Sequence, residues 1–195
     1  MKVSQQQQAT ALLAAMQALD ERAAELERVD RAALDWQPPE RGWSAGQVLE
    51  HLCVANDSYL VQLRKLVGQS AAAGARTGGD AVWGPSFVGR LLVRSMESAR
   101  KLPAPKMWQP ASAPRPNVIA EFLARQREIE ELIERSMVSE WRRVRMASPV
   151  SGLIRMNVGD AFTVLVRHAE RHFRQIDDRL ASYRAAERPP VVVGR

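Results

Sequence analysis

The run from Gly159 to Leu180 constrains this chain more than any other stretch. Val158, Ala161, Phe162, Leu165, Ala169, Ile176 and Leu180 recur at the spacing of one helical face. His168 and His172 fall on the same stripe, and their i, i+4 spacing stacks both imidazoles about one helical turn apart. The pair therefore points inward. An inward histidine pair needs a hydrogen-bond partner or a metal. This helix is expected to run on to about Arg184, with residues 189–195 as a loose tail.

The same period appears in other segments. Leu12, Met16, Leu19, Ala23 and Leu26 place an amphipathic helix over about Ser4 to Leu34, ended by Pro38 and Pro39, with the four glutamines as a polar lead-in. Ser44 followed by Gln47 has the form of a capping box, and Trp43 before it suits a hydrophobic staple. That predicts a helix from Ser44 to about Val67, with His51 on or beside the face of Val48, Leu52, Ala55 and Tyr59. A flexible connection over Gly68 to Trp83 leads to a shorter helix, about Pro85 to Lys101. Five prolines between Leu102 and Pro116 make an extended loop, within which Trp108 could close over a pocket but more commonly would anchor a surface loop. Asn117 is expected to cap a helix reaching about Val138, in which Gln126 interrupts an otherwise apolar stripe. Ser148 to Gly152 reads as a turn.

No alternation is long enough to predict a sheet. The expectation is an all-α, four-helix bundle with a short extra helix in a crossover connection, forming one domain over residues 1–188. No run of about 18 apolar residues exists, and the start lacks a signal-peptide core, so a cytoplasmic protein without a membrane span is expected. One cysteine, Cys53, excludes an intrachain disulfide and any multi-cysteine metal site, and reads as a small buried hydrophobe. The net charge of +6 raises the question of nucleic acid. Most arginines alternate with acids, as in Glu21-Arg22 and Glu134-Arg135, and the densest basic run, Trp141 to Arg145, carries no reading motif. We therefore expect no nucleic-acid partner.

His51, His168 and His172 are all the histidines there are, and each falls where a bundle interior could gather it. A lone inward histidine is more often a hydrogen-bonded core residue than a ligand. Two unpartnered inward imidazoles, however, would cost about 1–3 kcal/mol each. Neutral imidazoles suit zinc, nickel or ferrous iron, and three of them leave a coordination position open. A divalent metal so held would lower the pKa of a bound water or thiol. No Gly-x-Ser-x-Gly elbow and no Gly-rich phosphate loop offers a competing chemistry. Gln175 could orient a ligand or bound water, and Arg171 could attract an anionic substrate or simply pair with Asp178 or Glu170. Glu50 and Asp57 are candidate general bases.

Trp43-Ser44-x-x-Gln47-Val48-Leu49-Glu50-His51-Leu52, with His168-x-x-Arg171-His172-x-x-Gln175-Ile176 far downstream, resembles the DinB/YfiT-like superfamily of metal-dependent enzymes. The resemblance spans about Leu12 to Leu180. It implies up-down-down-up connectivity and a divalent metal, often nickel or zinc, on the residues matching His51, His168 and His172. It also implies a small-molecule substrate, with a low-molecular-weight thiol as cosubstrate in some members, which are S-transferases or isomerases. Homodimers are common in the family. The leading expectation is thus a metal-dependent hydrolase or thiol S-transferase. The rival is a non-catalytic stress-response or binding module in which the histidines, or their metal, are structural.

Overall fold

The structure is a computed structural model that describes residues 2–39, 42–72, 81–97 and 104–187. These residues are mostly helical. The six helices among them are α1 (Gln5–Glu25), α2 (Arg31–Asp35), α3 (Ala45–Ala72), α4 (Phe87–Glu97), α5 (Val118–Arg135) and α6 (Val158–Glu187). Two short antiparallel pairs accompany them: β1 (Val3–Ser4) with β2 (Val82–Trp83), and β3 (Arg145–Ser148) with β4 (Ser151–Asn157). The four long helices α1, α3, α5 and α6 surround the core. α3 packs on α5 and α6, α1 packs on the same two, and α4 lies against α6 and β4.

The β3–β4 hairpin corrects the expectation of a chain without sheet. The turn read at Ser148 to Gly152 is present, but strands flank it, with a register shift between Ala147 and Ser148. β4 shows no clean alternation: Leu153 is 94% exposed while Met156 and Asn157 are both buried. A two-stranded ribbon supported by helices does not need the period that marks a half-buried strand.

The first predicted helix is also divided. α1 ends in a 3₁₀ turn at Leu26–Arg28, Val29 is extended, and Asp30 caps α2 by accepting from the Ala32 N–H at 3.0 Å. Leu26, Ala33 and Leu34 are buried on both sides of the break, so the apolar pattern runs through it. The glutamines are not a lead-in: they form the first turn of α1. Ser4 and Gln7 make a capping box, and buried Gln5 bridges the Ser139 carbonyl and the Trp141 N–H.

The remaining boundaries shift less. α3 continues past Val67 through Gly68 to Ala72, α4 starts at Phe87, and α5 stops at Arg135 before a 3₁₀ turn over Ser136–Val138. Asn117 occupies the N-cap of α5 without a side-chain cap bond. Parts of the predicted connection after Gly68, of the helix end near Lys101 and of the proline loop's start, and the tail at 189–195, lie outside the described residues.

Candidate metal centre

The two helices that carry the histidines are fixed at their starts. Ser44 Oγ accepts from the Gln47 N–H at 3.2 Å while Gln47 Oε1 accepts from the Ser44 N–H at 3.1 Å, which completes the predicted capping box of α3. Trp43 packs against the core cluster that contains Val48, as a staple should. At the start of α6, Asn157 Oδ1 accepts from the Asp160 N–H at 2.9 Å and Asp160 Oδ2 accepts from the Asn157 N–H at 3.1 Å. With both ends set, packing of α3 on α6 brings together residues 117 positions apart.

His51 is 2% exposed, His168 is 8% exposed, and His172 is half-buried. Their Nε2 atoms converge: His168 Nε2 lies 3.2 Å from that of His51 and 3.0 Å from that of His172. The other ring nitrogens fix the tautomers. His51 Nδ1 is 2.7 Å from the Trp108 carbonyl oxygen, which can only accept, so Nδ1 carries the proton. His172 Nδ1 donates to Gln175 Oε1 at 3.0 Å. Both rings therefore present Nε2 as a lone pair. A proton on His168 Nε2 can serve only one of its two contacts; the other imidazole's lone pair is left without a donor.

A shared cation removes that conflict. The separations fall within the roughly 2.9–3.4 Å spread expected of nitrogens bound to one ion at about 2.0–2.1 Å. The donor set is neutral as well. Burial lowers the pKa of His51, and burial with the other two imidazoles pushes His168 well below its ordinary value. Burial, with His51 nearby, lowers His172 to about 3. At neutral pH the three are unprotonated imidazoles, the state a metal binds. The residues present thus fit a divalent cation, and the three histidines are a group able to hold one.

Other residues singled out in the sequence have different placements. Gln175 touches the cluster as a ligand-orienting group should. Arg171 donates to the carbonyls of Ser95 and Met96 at 3.1 and 3.0 Å, which ties the end of α4 to α6, while Glu170 pairs with Arg167. Asp57 makes a two-bonded pair with Arg125 at 2.8 Å, whereas buried Glu50 has Oε1 3.2 Å from Arg115 and Oε2 without a hydrogen-bond partner among the described residues. Cys53 is fully buried, and burial pushes its thiol up to about 12, as a small hydrophobe and not a nucleophile. Gln126 is buried and its amide lies towards Asp20 on α1. Trp141, in the densest basic run, is a core residue whose indole N–H donates to Ser136 Oγ at 2.7 Å.

Trp108 packs beside the histidines. It is buried, with ring centroids 6.4 Å from His51 and 6.2 Å from His168, and its indole N–H donates to Ser58 Oγ at 2.9 Å. The part played by its main-chain carbonyl was not anticipated, because a backbone acceptor has no residue signature. Trp43 is a second missed neighbour: read only as a staple, its ring lies 5.0 Å from that of His51.

A family model described as the DinB superfamily matches residues 7–176 of the chain, a span that includes all three histidines. No curated protein and no solved structure matches it.

Proposed function

The chain belongs to the DinB superfamily, and from that premise and the imidazole cluster we propose a metal-dependent enzyme. His51, His168 and His172 hold one divalent cation, zinc or nickel by the ligand set, with iron as the alternative. The reaction joins a low-molecular-weight thiol, or water, to a small electrophilic substrate. In this reading the four long helices form the family's up-down-down-up bundle, and the protein acts in the cytoplasm, as a homodimer. One observation supports the proposal: the Nδ1 atoms of His51 and His172 are each occupied, and the Nε2 lone pairs of both lie within 3.2 Å of His168 Nε2.

Bound there, a dipositive ion with only neutral ligands lowers the pKa of a thiol or water towards neutrality. The chain's own residues do the rest. The Trp108 carbonyl and the Gln175 amide hold two rings in the ligating tautomer. The Trp108 indole excludes water along the His51 and His168 side. Arg171 keeps α4 against the ligand helix through two carbonyls.

The test is metal analysis of the purified protein with His51→Ala and His168→Ala variants. About one equivalent of metal in the parent and loss from both variants is expected; full occupancy in both variants refutes the three-histidine centre. Thiol-transfer activity that survived thorough chelation would refute the mechanism while leaving the centre intact.

A further inference from the structure

The imidazole cluster lies between two indoles of different character. Trp108 is buried and pinned by its N–H, its carbonyl and the nearby ring of Tyr59, so it closes its side. Trp43 is only half-buried, yet it too is fixed. Its carbonyl accepts from Arg179 Nε at 3.1 Å, and the next residue starts the α3 capping box. The residue before it is a glycine, where an added Cβ would stand 2.8 Å from Pro38 Cγ and 2.9 Å from Arg179 Nη2. A partly exposed tryptophan with its backbone held on both sides is a preorganised surface. Its ring lies 5.0 Å from that of His51, whose other ring neighbour, His172, is half-buried as well, as is the Gln175 that holds it. The half-buried members of the cluster are thus Trp43, His172 and Gln175, whereas Trp108 is buried.

We infer that Trp43 is the aromatic wall of the substrate site and that it selects a flat, electron-poor conjugated group. The inference deepens the proposed function and rests on that reading for the position of the reacting end. An indole face takes either a cation or a planar π system. A cation is disfavoured beside a dipositive metal with Arg171 and Arg179 on the same helix. An electron-poor ring, which complements the electron-rich indole and tolerates negative charge, meets no such penalty.

The test compares two carboxylic acids that differ in the feature at issue. Zinc-loaded protein is titrated with 3,5-dinitrobenzoate and with cyclohexanecarboxylate, read by calorimetry. Both present a carboxylate; only one stacks. The parent should bind the aromatic acid about tenfold more tightly, which is the scale of one stacking contact. Trp43→Ala should erase that preference and Trp43→Phe should keep most of it, each with zinc content unchanged. Equal affinities in the parent, or a preference that survives in Trp43→Ala, overturns the inference. Zinc stoichiometry on the same samples reports the histidine centre separately. One equivalent of zinc with no preference refutes the wall and leaves the centre. Zinc-free protein that still prefers the aromatic acid through Trp43 refutes the centre and leaves the wall.

Discussion

His168 has two imidazoles as its close polar neighbours, and its burial has a consequence for the metal-free protein. An imidazole whose folded pKa lies below its unfolded value is protonated more readily in the unfolded chain. Its contribution to stability is then complete above about 6.5 and lost as the pH falls towards the folded value. All three histidines are shifted in that direction, His172 to about 3. The urea midpoint of the metal-free protein should therefore drop between pH 7 and pH 5. Replacing His168 with glutamine removes one proton-binding group, so that variant should lose less over the same interval. Parallel curves for the two proteins would contradict the shift. The three candidate ligands were legible because the chain has three histidines in all and two share a helical stripe. What holds them was only partly legible. Gln175 follows from i+3 spacing, whereas the Trp108 carbonyl comes from a proline-bounded loop whose path no local pattern gives.

At the scale of elements, the start of α6 shows how tightly the ligand helix is set. Gly159 lies beneath two indoles: an added Cβ would stand 2.4 Å from Trp83 Nε1 and 2.7 Å from Trp141 Cε3. Both rings are buried and pack edge to face, so neither can swing away cheaply. Gly159→Ala should cost about 1–3 kcal/mol as an overpacking substitution. Gly152, in the hairpin with nothing near its would-be Cβ, is the internal control. Its alanine variant should unfold within about 0.5 kcal/mol of the parent in urea, as exposed substitutions usually do. Equal costs at the two glycines would mean that the Trp83 and Trp141 rings yield. α3, with its stripe and the Ser44–Gln47 spacing, and α6, with its stripe alone, were readable to within a few residues. The kink after α1 was not, since burial of Leu26 and Leu34 preserves the stripe across it. Nor was the hairpin, whose β4 strand leans on α4 and α6 and needs no alternation of its own.

For the whole molecule, the centre joins residues far apart in the chain. His51 comes from α3, and His168 and His172 come from α6. The unfolded chain has no comparable site, so a metal on all three ligands binds the native state and stabilises it by mass action. Zinc at one hundred times its dissociation constant should add about 2.7 kcal/mol. For a chain of this length each kcal/mol raises the melting midpoint by about 2–4 °C. The midpoint should keep rising with zinc concentration. His51→Ala leaves the i, i+4 pair on one helix, which no longer ties α3 to α6, and its rise should be smaller. A parent midpoint that ignores zinc excludes a metal centre in the folded protein. The size of the rise does not separate an enzyme from a scaffold, but the coordination sphere does. A cobalt-loaded sample whose visible spectrum changes on adding a small thiol has a position open to substrate, as the half-buried His172 side leads us to expect. A spectrum indifferent to thiol, with the full thermal rise, makes the three histidines a structural clamp and assigns the chain to the non-catalytic reading.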